Sequence, residues 1–443
     1  MHRNPDIVST KQERIATLAR QSPQMGFTSL AYLMDLQWLT EAYHRTRKNG
    51  ATGIDNQTWH DYGQNLEANL QSLLERAKSG SYRAPPVKRV YIPKAGSPTQ
   101  KRPIGMPTLE DKVLQRAVVM LLEPIYEQDF VEGSYGFRPG RGAHDALGRL
   151  WKETMNADGG WVLEVDISKF FDTLGHEHLR ELVRHRVKDG VLLRLIGKWL
   201  NAGVMEEGCV SYPESGSPQG GVISPMLANI YLHYVLDKWF EQEVQPRLAG
   251  KAYLIRYADD FVIGFANQKD ALRVQEVLPK RFERYGLKLH PDKTRLVRFT
   301  KPSDPNTNGQ GPSEEPESFD LLGFTHYWAR SLRGNWVVKR KTSKSRLGRA
   351  LKATHQWCRR HLHDPLARQQ QALGRKIRGH CAYYGITGNS ASLSAYRMWV
   401  LRIWRYWLSR RNRERGMTWD RFNQLLARYP LPSAVAIHSV RRH

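Results

Sequence analysis

Asp259 and Asp260 stand side by side between two apolar runs, Tyr253–Tyr257 and Phe261–Phe265. Aspartate is disfavoured inside strands, so a consecutive pair there marks either a turn or a chemical task. A third acid, Asp166, breaks another apolar run, Trp161–Ile167, close to its C-terminal end. Hard divalent cations such as Mg²⁺ take carboxylate oxygens and complete their shells with water and substrate phosphates. Two such ions held roughly 3.5–4 Å apart drive in-line phosphoryl or nucleotidyl displacement, for which about three converging carboxylates suffice. A strand carrying one aspartate beside a hairpin carrying two provides that set. Taken alone, Asp-Asp in a hairpin is more often only a turn.

The elements that must position these acids are legible around them. Trp161–Ile167 reads as a buried strand, and Tyr253–Phe265 as a hairpin interrupted by Ala258-Asp259-Asp260. Ser224-Pro225 predicts a helix start, with serine at the N-cap and proline in the first turn, running to about Val244. Residues 27–80 look helical apart from the turn-rich Asn49–Asn56, and Val87–Ile92 and Pro103–Met106 read as short strands. Helices are expected over about Asp111–Gln128 and most of Glu177–Leu200. Lys301–Glu317, rich in proline, reads as a flexible insert. Beyond a short apolar run, Phe319–Phe324, three basic helical stretches are expected near Lys344–His363, Gln369–Tyr384 and Ala391–Arg413.

The chain has 443 residues, and its 68 Lys and Arg against 43 Asp and Glu give a net charge of +25. Nearly all of the excess lies in the last quarter: from His326 onward there are 26 basic residues and three acids. The same stretch carries seven of the thirteen tryptophans. A basic, aromatic-rich, helical region on a neutral body suggests a module that grips phosphates, with binding that weakens steeply in salt. Three scattered cysteines exclude a disulfide framework and a CxxC zinc pair, and suit a reducing interior. No apolar run is long enough to span a bilayer and the N-terminus lacks an apolar signal core, so a soluble, intracellular protein is expected.

Taken together, the motifs resemble those of reverse transcriptases. Tyr257-Ala-Asp-Asp260 within IRYADDFVI is similar to their YxDD box, and EVDISKFFDTLGH (Glu164–His176) to their third block. GSPQGGVISPMLANIYL (Gly216–Leu232) resembles the fourth, and GSYGFRPGRGAHDAL (Gly133–Leu147), LKLHPDKT (Leu287–Thr294) and FDLLGF (Phe319–Phe324) resemble the second, sixth and seventh. Six blocks in the right order are far more specific than one four-residue box. ATGIDNQTW (Ala51–Trp59), YIPKAGSPTQKRPIGMPTLEDKVLQRAV (Tyr91–Val118) and the stretch from RGHCAYYGITGNS to LARYPLP resemble group II intron-encoded reverse transcriptase/maturases over about residues 27–438. Many of those proteins end in a DNA-binding segment and a zinc-supported HNH endonuclease; without cysteine pairs for one, an endonuclease-minus, bacterial-type member is expected here.

The resemblance implies an α+β right-hand polymerase. An N-terminal extension and the start of the fingers would occupy 1–80, fingers and palm 81–326 with the insert 301–317, and an all-helical basic thumb and maturase region 327–443. It assigns catalysis to Asp166, Asp259 and Asp260, and the metal set to Asp166, Ile167, Asp259 and Asp260, holding two Mg²⁺ ions for which Mn²⁺ is a possible substitute. Lys94 and Arg102 match contacts to the incoming triphosphate, a task suited to a guanidinium fork and a point charge. Phe171 matches the aromatic that blocks a 2′-hydroxyl, and Gln219 the wall of the nucleotide pocket. Arg138 and Arg141 would lie near the template, while Arg402, Arg405, Arg410, Arg411, Arg413 and Arg415 are the expected RNA contacts. The partners implied are the intron RNA, an RNA template with a DNA or RNA primer, deoxynucleotides and a DNA target, in a cytoplasmic, nucleoid-associated setting with no membrane. Monomer and dimer stay open.

Weaker signals point elsewhere. His355, Cys358, His361 and His363 have helix-like metal spacing, but no second cluster completes a closed site. Gly133–Gly142 is glycine-rich yet lacks the GxxxxGK[ST] pattern of nucleotide-triphosphatase loops. Trp399, Ile403, Tyr406 and Trp407 recur at helical spacing, which favours packing over base stacking. The function expected is RNA-directed DNA synthesis by a group II intron-type protein that also assists splicing and moves by target-primed reverse transcription. The alternatives are a domesticated reverse transcriptase in defence or repair, and a non-catalytic RNA-binding splicing factor.

Overall fold

A computed structural model describes residues 5–93, 101–206, 209–212, 220–302, 317–411 and 416–439. The strands are β1 (Val87–Pro93), β2 (Lys101–Met106), β3 (Trp161–Asp166), β4 (Val204–Glu206), β5 (Cys209–Ser211), β6 (Ala252–Tyr257), β7 (Asp260–Phe265), β8 (Arg295–Arg298), β9 (Phe319–Leu321), β10 (Phe324–Arg330) and β11 (Trp336–Thr342). They form three sheets in the orders β2-β1-β4-β5, β6-β7-β3-β8 and β11-β10-β9. With the helices this is a mixed α and β fold. Among the described residues no helix is long and apolar enough to cross a membrane.

The chain divides into two compact units. The first comprises Met1–Gly142, Val165–Phe261 and Lys269–Arg295, and the second Ala143–Glu164, Val262–Gln268 and Leu296–His443. All three aspartates singled out above belong to the first unit.

The first unit is built on the long helix Leu109–Asp129. Thr108 caps it by accepting a hydrogen bond from the Asp111 amide, and Glu110 and Asp111 complement the positive end of its dipole. Its buried face includes Val113, Leu114, Ala117, Val118 and Leu121, all without exposure. Pro124 lies inside this helix and cannot donate to the carbonyl of Met120 four residues back. That carbonyl instead accepts from Gln12 Nε2 at 2.9 Å, tying the N-terminal helix Pro5–Gln21 to the break. Asp111 is buried, and its carboxylate accepts from Tyr82 Oη at 2.6 Å, Trp199 Nε1 at 2.6 Å and Gln115 Nε2 at 3.0 Å. Burial outweighs these donors and raises its pKa to about 6. The helix expected to begin with Ser224 as cap starts one residue earlier in register: Ile223 is the N-cap and Ser224 the first helical residue. It continues from Ser224–Leu232 into two π-turns, His233–Asp237 and Phe240–Val244.

The second unit corrects the expectation of an all-helical region after residue 326. β10 and β11 form an antiparallel pair from Phe324↔Thr342 to Arg330↔Trp336, with β9 on the other side of β10. The inward side chains alternate along both strands: Phe324, His326 and Trp328 on β10, Val338, Arg340 and Thr342 on β11. Lys339, Arg340 and Lys341 give β11 a basic composition that hides its strand period. The expected helices follow as Lys344–Arg360, Leu366–Tyr384 and Ser390–Arg411, with a further one at Trp419–Arg428. They enclose a core of Leu373, Ile377, Val400, Trp404 and Phe422, all without exposure, together with Cys358 and Cys381.

The packing face expected on the helix Ser390–Arg411 is corrected too. Its buried residues are Leu393, Tyr396, Val400, Trp404 and Leu408, whereas Trp399 and Tyr406 are exposed and Ile403 and Trp407 only flank the core. Trp404 fixes this phase, since its Nε1 donates to Gln369 Oε1 at 2.8 Å inside the core. Cys358 is buried there, with its thiol pushed up to about 12 by burial.

Candidate active site

Asp166 ends β3, and the backbone just beyond it is held by the segment Lys288–His290. His290 N–H donates to the Asp166 carbonyl at 2.8 Å, Ser168 N–H donates to the Lys288 carbonyl at 2.8 Å, and Ile167 bridges Leu289. The third and sixth motif blocks are thus one local structure. Ile167 is buried, while the Asp166 side chain is about half exposed and pairs with Lys293 Nζ at 2.8 Å.

Asp259 sits at the solvent-reached turn between β6 and β7, and Asp260 opens β7. Ala258, which precedes them, is left-handed with φ of +57°. A glycine-rich segment backs the turn: Tyr135 N–H donates to the Arg256 carbonyl at 2.9 Å, and Arg256 N–H to the Gly133 carbonyl at 2.8 Å. Close backbone approach explains its glycines. A Cβ on Gly133 would stand 2.4 Å from the Leu254 carbonyl oxygen, and one on Gly136 2.2 Å from the Ala258 nitrogen.

The electrostatics join the two acidic positions. The Asp259 carboxyl lies above the usual carboxylate range, first because surrounding protein desolvates it. Its own backbone N–H partly offsets this, the Asp166 charge raises it further, and the Arg102 and Arg256 charges lower it. Asp166 and Asp259 are therefore close enough to repel, and Arg102, on β2, is close enough to act on Asp259. Two crowded, mutually repelling carboxylates are a hard-oxygen donor set that a divalent cation would relieve. Asp260 does not complete a triad. Among the described residues no group of three or more His, Cys, Asp or Glu side chains is gathered for a metal. Asp260 already belongs to the strand while Asp259 belongs to the turn, so consecutive side chains diverge.

The remaining expected site residues divide. Lys94, Gln219, Arg413 and Arg415, like most of the insert 301–317, lie outside the described residues. Phe171 is half-buried in the short helix Phe170–Thr173, and its neighbour Phe170 is the core residue, edge-on to Tyr231 at 6.4 Å. Arg138 corrects the expectation of a template contact. It is 6 % exposed, holds both Glu127 carboxylate oxygens and donates to the carbonyls of Val131 and Ser134 at 2.8 Å. Arg141 stays half-exposed over the Tyr135 ring, donating to the Glu132 carbonyl at 2.7 Å.

In the second unit Arg402 and Arg410 are exposed and lie over the rings of Trp399 and Tyr406 at 5.1 and 4.8 Å. Arg411 is exposed and donates to the Asp364 carbonyl. Arg405 is turned inward, donating to the Met417 carbonyl at 2.7 Å with its guanidinium 4.4 Å from the Trp419 ring centre. Sequence reasoning missed Lys293 and Arg256. The only signals for them were a lysine within LKLHPDKT and a lone charge inside the apolar run of β6.

Residues 92–326 match the family described as "Reverse transcriptase (RNA-dependent DNA polymerase)". The chain belongs to that family and is by class an RNA-directed DNA polymerase. It is 34% identical over 325 residues to Protein YkfC of Escherichia coli strain K12, covering 66% of this chain and 84% of that protein. It is 38% identical over 234 residues to the group II intron-encoded protein LtrA of Lactococcus lactis subsp. cremoris, covering 52% of this chain and 38% of that one. A 91 kDa protein in the cob intron of Schizosaccharomyces pombe is 38% identical over 172 residues, covering 39% of this chain and 21% of that protein. The chain thus spans well under half of the length of these two intron proteins.

Proposed function

We propose that the chain copies RNA into DNA at Asp166 and Asp259, and that it does so as a group II intron-type protein. The observation that carries this reading is geometric: β3, which ends in Asp166, and β7, which follows the Asp259 turn, are neighbours in one sheet of a reverse transcriptase-family chain. Asp166, the Ile167 position and Asp259 would hold the Mg²⁺ ions. Bound there, the ions lower the cost of the charge that develops on the attacking 3′-oxygen and the departing pyrophosphate. Arg102 would meet the triphosphate, with Lys94 and Gln219 beside it, and Phe171 would favour deoxynucleotides.

The proposed layout is fingers and palm up to residue 326 and a thumb and maturase region from 327, with the exposed Arg402, Arg410 and Arg411 and the half-exposed Arg141 as RNA contacts. The chain would bind an intron RNA and assist its splicing, where the RNA supplies the chemistry and the protein supplies phosphate contacts. The test is primer extension by the wild-type chain on an RNA template with deoxynucleotides and Mg²⁺, beside RNA retention across a salt series. The expected result is cDNA, with RNA retention falling steeply in salt. Tight, salt-sensitive RNA binding without cDNA would instead favour the non-catalytic splicing factor.

Lys293 carries a second expectation. Its pair with Asp166 is exposed on both sides, so it adds at most about 1 kcal/mol to stability. Its ammonium does, however, occupy the side of Asp166 that a cation would share. Lys293→Ala is expected to leave the melting temperature nearly unchanged and to tighten Mn²⁺ binding, followed by electron paramagnetic resonance of the free ion. Unaltered Mn²⁺ affinity would remove the lysine from the metal's surroundings.

A further inference from the structure

We propose that Arg256 is the positioning residue of the acid-bearing turn: its guanidinium fixes the Ala258 carbonyl and thereby sets where Asp259 stands relative to Asp166. Arg256 lies on β6 with no exposure. A guanidinium has five N–H donors in a rigid fork, and here all five are used. Nε donates to Asp237 Oδ1 at 2.8 Å, and Nη2 to Asp237 Oδ2 at 2.5 Å and Ser134 Oγ at 2.8 Å. Nη1 donates to Asn229 Oδ1 at 3.1 Å and to the Ala258 carbonyl at 2.9 Å. The last bond is the one with functional reach, because Ala258 immediately precedes Asp259.

Ala258 adopts a left-handed conformation that a non-glycine residue avoids unless its surroundings impose it. The surroundings here act from two sides. Arg256 holds the carbonyl, and the Gly136 backbone closes on the amide side so tightly that it admits no Cβ. Asn229 links the two, since its Nδ2 donates to the Gly136 carbonyl at 2.7 Å while its Oδ1 accepts from Arg256. Asp237 supplies the counter-charge from within the π-turn His233–Asp237, also without exposure. A buried pair of this kind contributes little net stability against an apolar isostere, yet it is costly to break by halves. Its gain is geometric: a fully satisfied fork admits one arrangement of three segments, the β6 turn, the Ser134 loop and the helix that carries Asn229 and Asp237.

This inference rests on Asp166 and Asp259 as metal ligands, and its test separates the two claims. Arg256→Lys keeps the charge but cannot supply five fixed donors. The double variant Arg256→Met with Asp237→Leu removes both buried charges and carries the test should the lysine variant fail to fold. Each is compared with wild type by thermal melting, Mn²⁺ titration followed by electron paramagnetic resonance, RNA retention, and the Mg²⁺ dependence of primer extension. The expected outcome is near wild-type RNA retention with Mn²⁺ affinity and extension rate each lowered roughly 10–100-fold, the scale typical of residues that orient metal ligands. In the double variant the melting temperature recovers and the metal affinity does not. A folded variant with wild-type Mn²⁺ affinity and rate overturns the assignment. A wild-type chain that neither binds Mn²⁺ nor extends a primer overturns the metal-site reading instead.

Discussion

Asp259→Asn is expected to lower primer extension by at least two to three orders of magnitude, the scale lost with one group that stabilises transition-state charge. The substitution preserves shape and removes a negative charge from a carboxyl that already repels Asp166. Without a metal, relief of that repulsion and of desolvation makes the variant as stable as wild type or slightly more so. Stability and activity thus move in opposite directions, which separates a loss of chemistry from a loss of fold. RNA retention should be unchanged, because the basic helices belong to the second unit. An Asp259→Asn variant that extends primers at the wild-type rate would remove Asp259 from the chemistry.

Acid is expected to destabilise the chain through three buried histidines. Burial pushes His233 down to about 3 and His380 to about 4, and holds His326 well below the ordinary value; the Lys238, Arg256 and Arg138 charges add to the effect at His233, and Arg340 to that at His326. Both ring nitrogens of His233 and His326, and Nε2 of His380, are buried without hydrogen-bond partners. The unfolded chain takes up these protons near pH 6.5 and the native chain does not. The stability they contribute is therefore intact above pH 6.5 and drains away as the pH falls below it. By pH 5 each histidine accounts for about 2 kcal/mol, against a total stability on the order of 5–15 kcal/mol. Asp111, raised to about 6, acts in the opposite sense between 6 and 3.8, as do Glu123, Asp129 and Glu241, whose carboxyls partial desolvation raises. The discriminating variant is His326→Phe. Its ring stacks on Phe319 at 4.8 Å and forms no hydrogen bond, so phenylalanine fits the same slot. Stability measured by denaturant between pH 6.5 and 5 should fall less steeply in this variant, by close to one proton in the linkage slope. An unchanged slope would show that His326 takes up its proton in the native state.

The acid-bearing strands were legible because their apolar runs are short, uniform and broken only by aspartates. The reverse transcriptase blocks, in order, then identified the family before any geometry was known. Legibility failed where two readings share one pattern. The helix Ser390–Arg411 carries large apolar residues on several faces, so the spacing of Trp399, Ile403, Tyr406 and Trp407 was as regular as that of Val400, Trp404 and Leu408, which the core selects. In β11 basic residues occupy alternate and consecutive positions, and the strand is recognisable only through its partner β10. Arg138 could not be told from a nucleic-acid contact, because what fixes it is Glu127 and two carbonyls rather than any local spacing. Likewise the Arg256–Asp237 pair leaves only two isolated charges in apolar surroundings, and nothing in the order of residues says that they meet.

The pairing of Asp166 with Lys293 also sets a timetable for the newborn chain. The strand that ends in Asp166 is made 127 residues before the lysine that holds its carboxylate and the segment that pairs with its backbone. At a synthesis rate of about 5–20 residues per second that interval lasts on the order of 6–25 seconds. Until the segment around His290 has left the ribosome, the end of β3 lacks its partner and Asp166 has no fixed place. A ribosome that stalls after residue 260 but before the segment around His290 holds a chain with the YADD residues already made and no partner for the end of β3, so the proposed site is among the last parts of the first unit to mature.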